Sequence, residues 1–408
     1  MEQFMQSEIR VLLVGVGGYG RIYLDPLLDP TYRPDIRLVG AVDPFAGGTV
    51  AEKQLVAAGI PLYDSVEDFY AEMTADLALI ATPIHLHRQQ TISCLEHGSH
   101  VLCEKPAAAL IDDVHEIIEV RDRTGKYLSI GYQWSHSAAI QGLKRDVLAG
   151  RYGELQRMKT IVLWPRNDDY YSRGSGWAGK KKTADGAWIL DSVASNATAH
   201  YLHNMFYVAG AAISESAPTK TLEVETYRAN PIEMYDTAAM RVTSVDGVEM
   251  LYIVSHAIEP SKVREPEFVF EFTGGRATAR IDEGGIRIRG SLNDGTELDY
   301  GFPNAHDIRK IEVMVDLIRG EGELLCGIEA AAEHTKCINL SEELIPNTPS
   351  FPDVWIKRDE SNRMTYVADL DQMLGRAYDE WKLPGELGIE GFEPAKRGDL
   401  LDYDHFRS

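Results

Sequence analysis

The sequence predicts an α/β N-terminal domain on a doubly wound parallel sheet, followed by a β-rich domain of antiparallel hairpins. Three observations carry this. Ile9–Gly20, I-R-V-L-L-V-G-V-G-G-Y-G, is an apolar strand that breaks into glycines. Strands and helices of regular length then alternate to Tyr132, the pattern of a parallel sheet with helical crossovers. From Leu155 the texture changes to apolar strands punctuated by Asp246-Gly247 and Gly274-Gly275, which are hairpin turns.

The run Val11-Leu12-Leu13-Val14 reads as a buried strand, too short for a core helix. Gly15, Gly17 and Gly20 fit G-x-G-x-x-G, with Gly18 and Tyr19 between. Such glycines permit a tight turn, close approach of backbone to a pyrophosphate, and close packing of helix on strand. The N–H groups at the start of the next helix favour phosphate charge. A second strand, Ile36–Val42, ends in Asp43, 23 residues after Gly20, where a carboxylate accepts hydrogen bonds from an adenosine ribose and repels a 2′-phosphate. NAD is therefore expected, in preference to NADP. Pro26 should kink or shorten the intervening helix.

A helix over Val50–Ala58 leads to Ile60–Tyr63, and Ser65 with Asp68 reads as a capping box opening another. Further strands are expected at Leu77–Ala81, Ser99–Cys103 and Tyr127–Tyr132, with helices through Leu95 and over Asp113–Arg123. Ligands lie beyond the carboxyl ends of such strands, which singles out Thr82, Pro83, Glu104, Lys105 and Pro106.

With 63 acidic against 41 basic residues and a net charge of −22, no basic excess exists to bind a phosphate backbone, so no nucleic-acid partner is expected. No segment is apolar and long enough to span a membrane. The N-terminal M-E-Q-F-M-Q-S-E has no signal-peptide character. Four cysteines without C-x-x-C spacing read as reduced thiols in a cytoplasmic protein.

The motifs G-V-G-G-Y-G, A-T-P-I-H-L-H (81 to 87), H-V-L-C-E-K-P (100 to 106) and G-R-Y-G (150 to 153) together resemble the Gfo/Idh/MocA family, from Ile9 to about Leu340. The resemblance implies an NAD(P)-dependent oxidoreductase of sugars, polyols or related hydroxylated compounds. It also implies an α+β second domain on a large open antiparallel sheet, often used for oligomerisation; a homo-oligomer, dimer or tetramer, is expected. Lys105 would hold the substrate oxygen and stabilise charge developing on it, with Glu104 orienting it and Pro106 stiffening the turn. His85 and His87 lack a third ligand at metal spacing, so His87 is read as structural or nicotinamide-side and no metal is expected.

The family's catalytic helix usually carries an Asp, a His four residues on, and an Asp three beyond. Counted back from Gly210, these fall on Asn196, His200 and His203, so the histidine is kept and both acids are replaced. His200 is the expected general base. Asn196 and His203, on the same α-helical face by spacing, are expected beside it. Asp191 supplies the missing charge if the start of the helix is irregular. Trp134 stands where many relatives carry arginine, so the substrate differs from that of the best-known members. The run W-P-R-N-D-D-Y-Y-S-R-G-S-G-W-A-G-K places Arg166, Tyr170, Arg173 and Trp177 in a loop suited to a hydroxylated, perhaps carboxylated, ligand or to packing between subunits.

Helices at Asp307–Arg319 and Ile328–Leu340 should cover the sheets, with Glu329, Glu333 and His334 solvated. The acidic tail from Pro346 reads as a strap. The expected division is a Rossmann domain at 1–132, a substrate and oligomerisation domain at 133–345, and an extension at 346–408. The reaction so read is hydride transfer between a carbinol and NAD. A redox-neutral NAD-dependent elimination and a non-catalytic NAD sensor are the alternatives.

Overall fold

A computed structural model describes residues 8–173, 176–306 and 308–407. The N-terminal residues 1–7, the loop glycine and serine at 174–175, Asp307 at the start of an expected helix, and the last residue of the tail lie outside the described residues. The chain forms two compact units. One comprises Met1–Ala108, Asp113–His136 and His306–Ile328; the other comprises Ala109–Asp112, Ser137–Ala305 and Glu329–Ser408.

The first unit carries six parallel strands: β1 (Ile9–Val14), β2 (Ile36–Val42), β3 (Leu62–Tyr63), β4 (Leu77–Ile80), β5 (His100–Cys103) and β6 (Leu128–Ile130). Their order is β3-β2-β1-β4-β5-β6, the doubly wound arrangement whose order reverses between β1 and β4. The fully buried Val11, Leu12, Leu13 and Val14 explain why β1 reads as a continuous apolar run. Helix Val50–Ala58 begins and ends where expected. Ser65 caps helix Val66–Glu72, its side chain accepting from Asp68 N at 3.0 Å. Helix Gly20–Leu28 ends two residues past Pro26. Helix Arg309–Ile318 returns to this unit and adds Ile311, Met314 and Val315 to its core.

The second unit is built on nine strands: β7 (Leu155–Leu163), β8 (Thr219–Tyr227), β9 (Thr237–Ser244), β10 (Glu249–Ser255), β11 (Arg264–Phe272), β12 (Gly275–Asp282), β13 (Gly285–Leu292) and β14 (Glu297–Gly301), with a late strand at Lys396–Asp399 on the edge of β8. Pairing is antiparallel except between β7 and β10. Helix Leu370–Asp379 lays Leu370, Leu374, Ala377 and Tyr378 against Ile161, Leu163, Leu251 and Ile253 on one face. On the other, Tyr252 Oη donates to Thr198 Oγ1 at 2.6 Å.

Several expectations are corrected. The chain does not divide into three consecutive blocks. Residues 306–328 pack in the first unit because the apolar stripe of helix Arg309–Ile318 fits that core. Residues 346–408 belong to the second, supplying a sheet strand and a covering helix. Strands β13 and β14 set arginine and acid among isolated apolar residues, a pattern with little strand signal. Glu329 is solvated, but Glu333 and His334 are 7% and 0% exposed. The Glu333 carboxylate accepts from Thr219 N and Oγ1 at 2.9 and 2.5 Å, and His334 Nε2 lies 3.0 Å from Ala194 O. Pairing of that kind is what permits such groups to be buried. Among the described residues, no helix is long and apolar enough to cross a membrane.

Candidate active site

The glycine loop sits where β1 ends. Gly15 has φ +88°, and a Cβ there would stand 2.9 Å from Ala81 O and 3.0 Å from Thr82 Cγ2, so only glycine lets the loop cross the end of β4. A Cβ on Gly20 would stand 2.0 Å from Gly15 O, which is the close contact of helix start and strand end. Gly17 and Gly18 lie between. Helix Gly20–Leu28 has no acidic residue in its first turn, and Tyr19 provides no side-chain cap to it. Its leading N–H groups therefore suit an anion.

Asp43 faces the same loop. Its Oδ2 accepts from Val16 N at 3.1 Å and its Oδ1 from Phe45 N at 2.9 Å. A Cβ on Gly17 would lie 3.9 Å from Oδ2. The cradle fits a dinucleotide: glycines where side chains would collide, a helix start for phosphates and a carboxylate at the end of β2 for a ribose. Asp43→Asn keeps the shape and removes the charge. We expect it to weaken NAD about tenfold or more, the loss of a charge-assisted hydrogen bond, and to narrow the advantage over NADP. Titration of both nucleotides checks this; an unchanged ratio refutes the ribose role.

Beyond β4 and β5, His87 ties two loops together. Its Nδ1 lies 2.8 Å from Pro106 O and its Nε2 2.8 Å from Thr82 O. The ring is buried, and burial holds its pKa below the usual value. This is a brace between Thr82-Pro83 and Glu104-Lys105-Pro106. Thr82 Oγ1 itself donates to Gln90 Oε1 at 2.5 Å. Trp134 is 3% exposed in the short helix Gln133–His136.

Glu104 stands in a buried network. Its Oε1 accepts from Tyr23 Oη and from Lys310 Nζ, and Lys310 also donates to Tyr19 Oη at 2.9 Å. Lys310 is 1% exposed, Glu104 6%. Desolvation opposes the lysine's charge, but Glu104 and Tyr19 outweigh it and hold its pKa above the usual value. The charge of Glu104 is thus met by Lys310, which links the glycine loop through Tyr19 to the loop carrying Lys105. Sequence reasoning missed Lys310. The only local signal was a lysine on the apolar side of an amphipathic helix.

In the second unit, the start of the expected catalytic helix is irregular. Leu190 has φ +51°, Val193–Ala197 is a π-helical turn, and helix Ala199–Ala209 follows. Ser192 and Ser195 cap the π turn reciprocally. Asp191 reaches back: its Oδ1 accepts from Asn196 Nδ2 at 2.8 Å and its Oδ2 from Gly179 N at 2.7 Å. The acid thus orients the amide. The π turn breaks the α spacing between Asn196 and the two histidines, which lie three residues apart on helix Ala199–Ala209. Asn196 and His200 are half-buried, whereas His203 is fully buried and stacks on Tyr207 at 5.6 Å. In the same unit Arg166, Tyr170, Arg173 and Trp177 form a stacked cluster, with Arg173 Cζ 3.6 Å from the Tyr170 ring centroid and 4.8 Å from that of Trp177.

Residues 9–132 match the family described as "Oxidoreductase family, NAD-binding Rossmann fold", the Gfo/Idh/MocA family. Among curated proteins the chain is 30% identical over 156 residues to 1,5-anhydro-D-fructose reductase of Ensifer adhaerens, covering 38% of this chain and 45% of that one. It is 26% identical over 170 residues to an inositol 2-dehydrogenase of Corynebacterium glutamicum, covering 41% and 50%. These alignments span about half the length of the relatives. The solved WlbA dehydrogenase of Bordetella pertussis, in complex with NADH and UDP-GlcNAcA, is similar in fold over 80% of this chain and 93% of its own, with TM-score 0.65 and 22% identity. The likeness in fold to that structure thus spans most of the chain, whereas the family match in sequence lies in residues 9–132.

Proposed function

We propose that the protein is an NAD-dependent dehydrogenase of a sugar-like or polyol alcohol. The observation that carries this is the convergence, at one end of the parallel sheet, of a dinucleotide cradle and the braced Glu104-Lys105-Pro106 loop. Gly15, Gly17, Gly20 and Asp43 would hold NAD, which when bound supplies an acceptor for hydride. Lys105 binds the carbinol oxygen, and its charge favours the alkoxide that forms as the proton leaves. His200 takes that proton at a ring nitrogen. Asn196, fixed by Asp191, orients a hydroxyl of the substrate.

The test is NADH formation by the purified chain against sugars, polyols and sugar acids, with consumption of each compound followed in parallel. A neutral base is required, so kcat/KM should rise with pH through the histidine range. His200→Asn should lower kcat by about 10²–10⁴-fold and remove that acidic limb. A profile identical in the variant would exclude His200 as the base.

A further inference from the structure

Within the second unit, two guanidinium groups share one phenol ring. Arg173 Cζ lies 3.6 Å and Arg166 Cζ 4.9 Å from the Tyr170 centroid, while Trp164 flanks Arg166 at 5.6 Å. Like charges so close repel, and aromatic faces offset only part of that. In a chain with 63 acidic residues, a neighbouring carboxylate would be the ordinary remedy. Among the described residues neither arginine is ion-paired. Arg173 donates to the Tyr170 carbonyl, and Arg166 Nε is buried with no acceptor. The acids of this region are engaged elsewhere. Asp191 serves Gly179 and Asn196, Asp236 accepts from Ala229 N and Asn230 N at 3.0 and 2.8 Å, and Glu265 accepts from Trp164 Nε1 at 3.0 Å.

Two further rings flank that of Tyr170, Tyr171 at 5.2 Å and His256. His256 is 2% exposed, with its ring 5.4 Å from that of Tyr170. Its Nδ1 lies 2.7 Å from Trp164 O, which places the proton on Nδ1 and leaves Nε2 an acceptor. That Nε2 is buried with no partner, as is Tyr171 Oη. Burial and the two arginines push His256 down to about 3, so it stays neutral. Each such orphan is costly unless something fills it. Two cations call for an anionic oxygen group, and a neutral acceptor together with an unpaired phenol calls for a hydroxyl.

We propose that this cluster binds a hydroxylated acid, with Arg166 and Arg173 on its anionic oxygens and His256 and Tyr171 on an adjacent hydroxyl. The proposal rests on the dehydrogenase reading and narrows its substrate to a polyol bearing a carboxylate or a phosphate, which share this chemistry. The experiment compares NADH formation on D-gluconate, D-glucitol and D-glucose 6-phosphate by the full chain and by Arg166→Gln, Arg173→Gln and Arg173→Lys. NAD titration confirms that each variant is folded.

Wild type should favour one of the two anions over D-glucitol by at least tenfold in kcat/KM, and which one identifies the group. That ratio should fall at least tenfold in either glutamine variant, mainly through KM, and be partly restored by Arg173→Lys. Equal use of anions and D-glucitol, or a ratio the variants do not move, overturns the subsite while leaving the dehydrogenase intact. If none of the three is turned over, calorimetry with the NAD-loaded chain decides the subsite, and the wider panel decides the dehydrogenase reading. Binding of either anion that is lost in Arg166→Gln upholds it, and no binding of either anion overturns it.

Discussion

Replacing Lys105 with alanine is expected to lower kcat by about 10²–10³-fold, the scale on which removal of one oxyanion-stabilising donor acts. NAD affinity should stay where it was, because the glycine cradle and Asp43 lie on other loops. The two readings separate binding from chemistry: a loss in kcat with an unchanged nucleotide titration marks a group that acts on the reacting oxygen. Glu104 is bonded to Lys310 and Tyr23, so removing Lys105 should leave the buried network beside it standing. A variant that also lost NAD binding would instead have damaged the loop, and Lys105→Met, which keeps the stem, separates those cases. Full activity in both variants would exclude the lysine from the site.

The second large effect is on stability. Lys310→Met leaves the Glu104 carboxylate, 6% exposed, in the core without its cation. Breaking a buried pair from one side costs about 3–5 kcal/mol, whereas replacing both partners is often nearly neutral. Denaturant unfolding should therefore show a marked loss for Lys310→Met, and substantial recovery in the double variant Lys310→Met with Glu104→Gln. The same double variant should still lose some NAD affinity, since Tyr19 in the glycine loop loses its bond from Lys310. Additive losses in the two single variants would mean that the pair is not coupled.

What was legible in the sequence was whatever short-range chemistry determines. The apolar run of β1, the glycines, Asp43 at the end of β2 and the Ser65 cap each depend on residues within a few positions or on one strand–helix–strand unit. They were found at the expected places. The partner of Glu104 lies 206 residues away, on a helix whose sequence records only an amphipathic stripe, so no local pattern could pair them. His334 reads as solvated because histidine is ambivalent toward burial, yet it is fully buried with Nε2 3.0 Å from Ala194 O, a pairing no local pattern records. Asp191 was reachable only conditionally. Five residues separate it from Asn196, a spacing that fails on an α-helix and works here because the chain enters helix Ala199–Ala209 through a π turn.

NADH formation by wild type and Lys105→Ala, side by side on a pooled set of sugars, polyols and sugar acids, tests the central claim most directly. The account predicts NADH with at least one compound for wild type, with turnover nearly abolished in the variant at equal NAD affinity. Tight NAD binding with no compound consumed by wild type, or equal turnover by the two proteins, would contradict it.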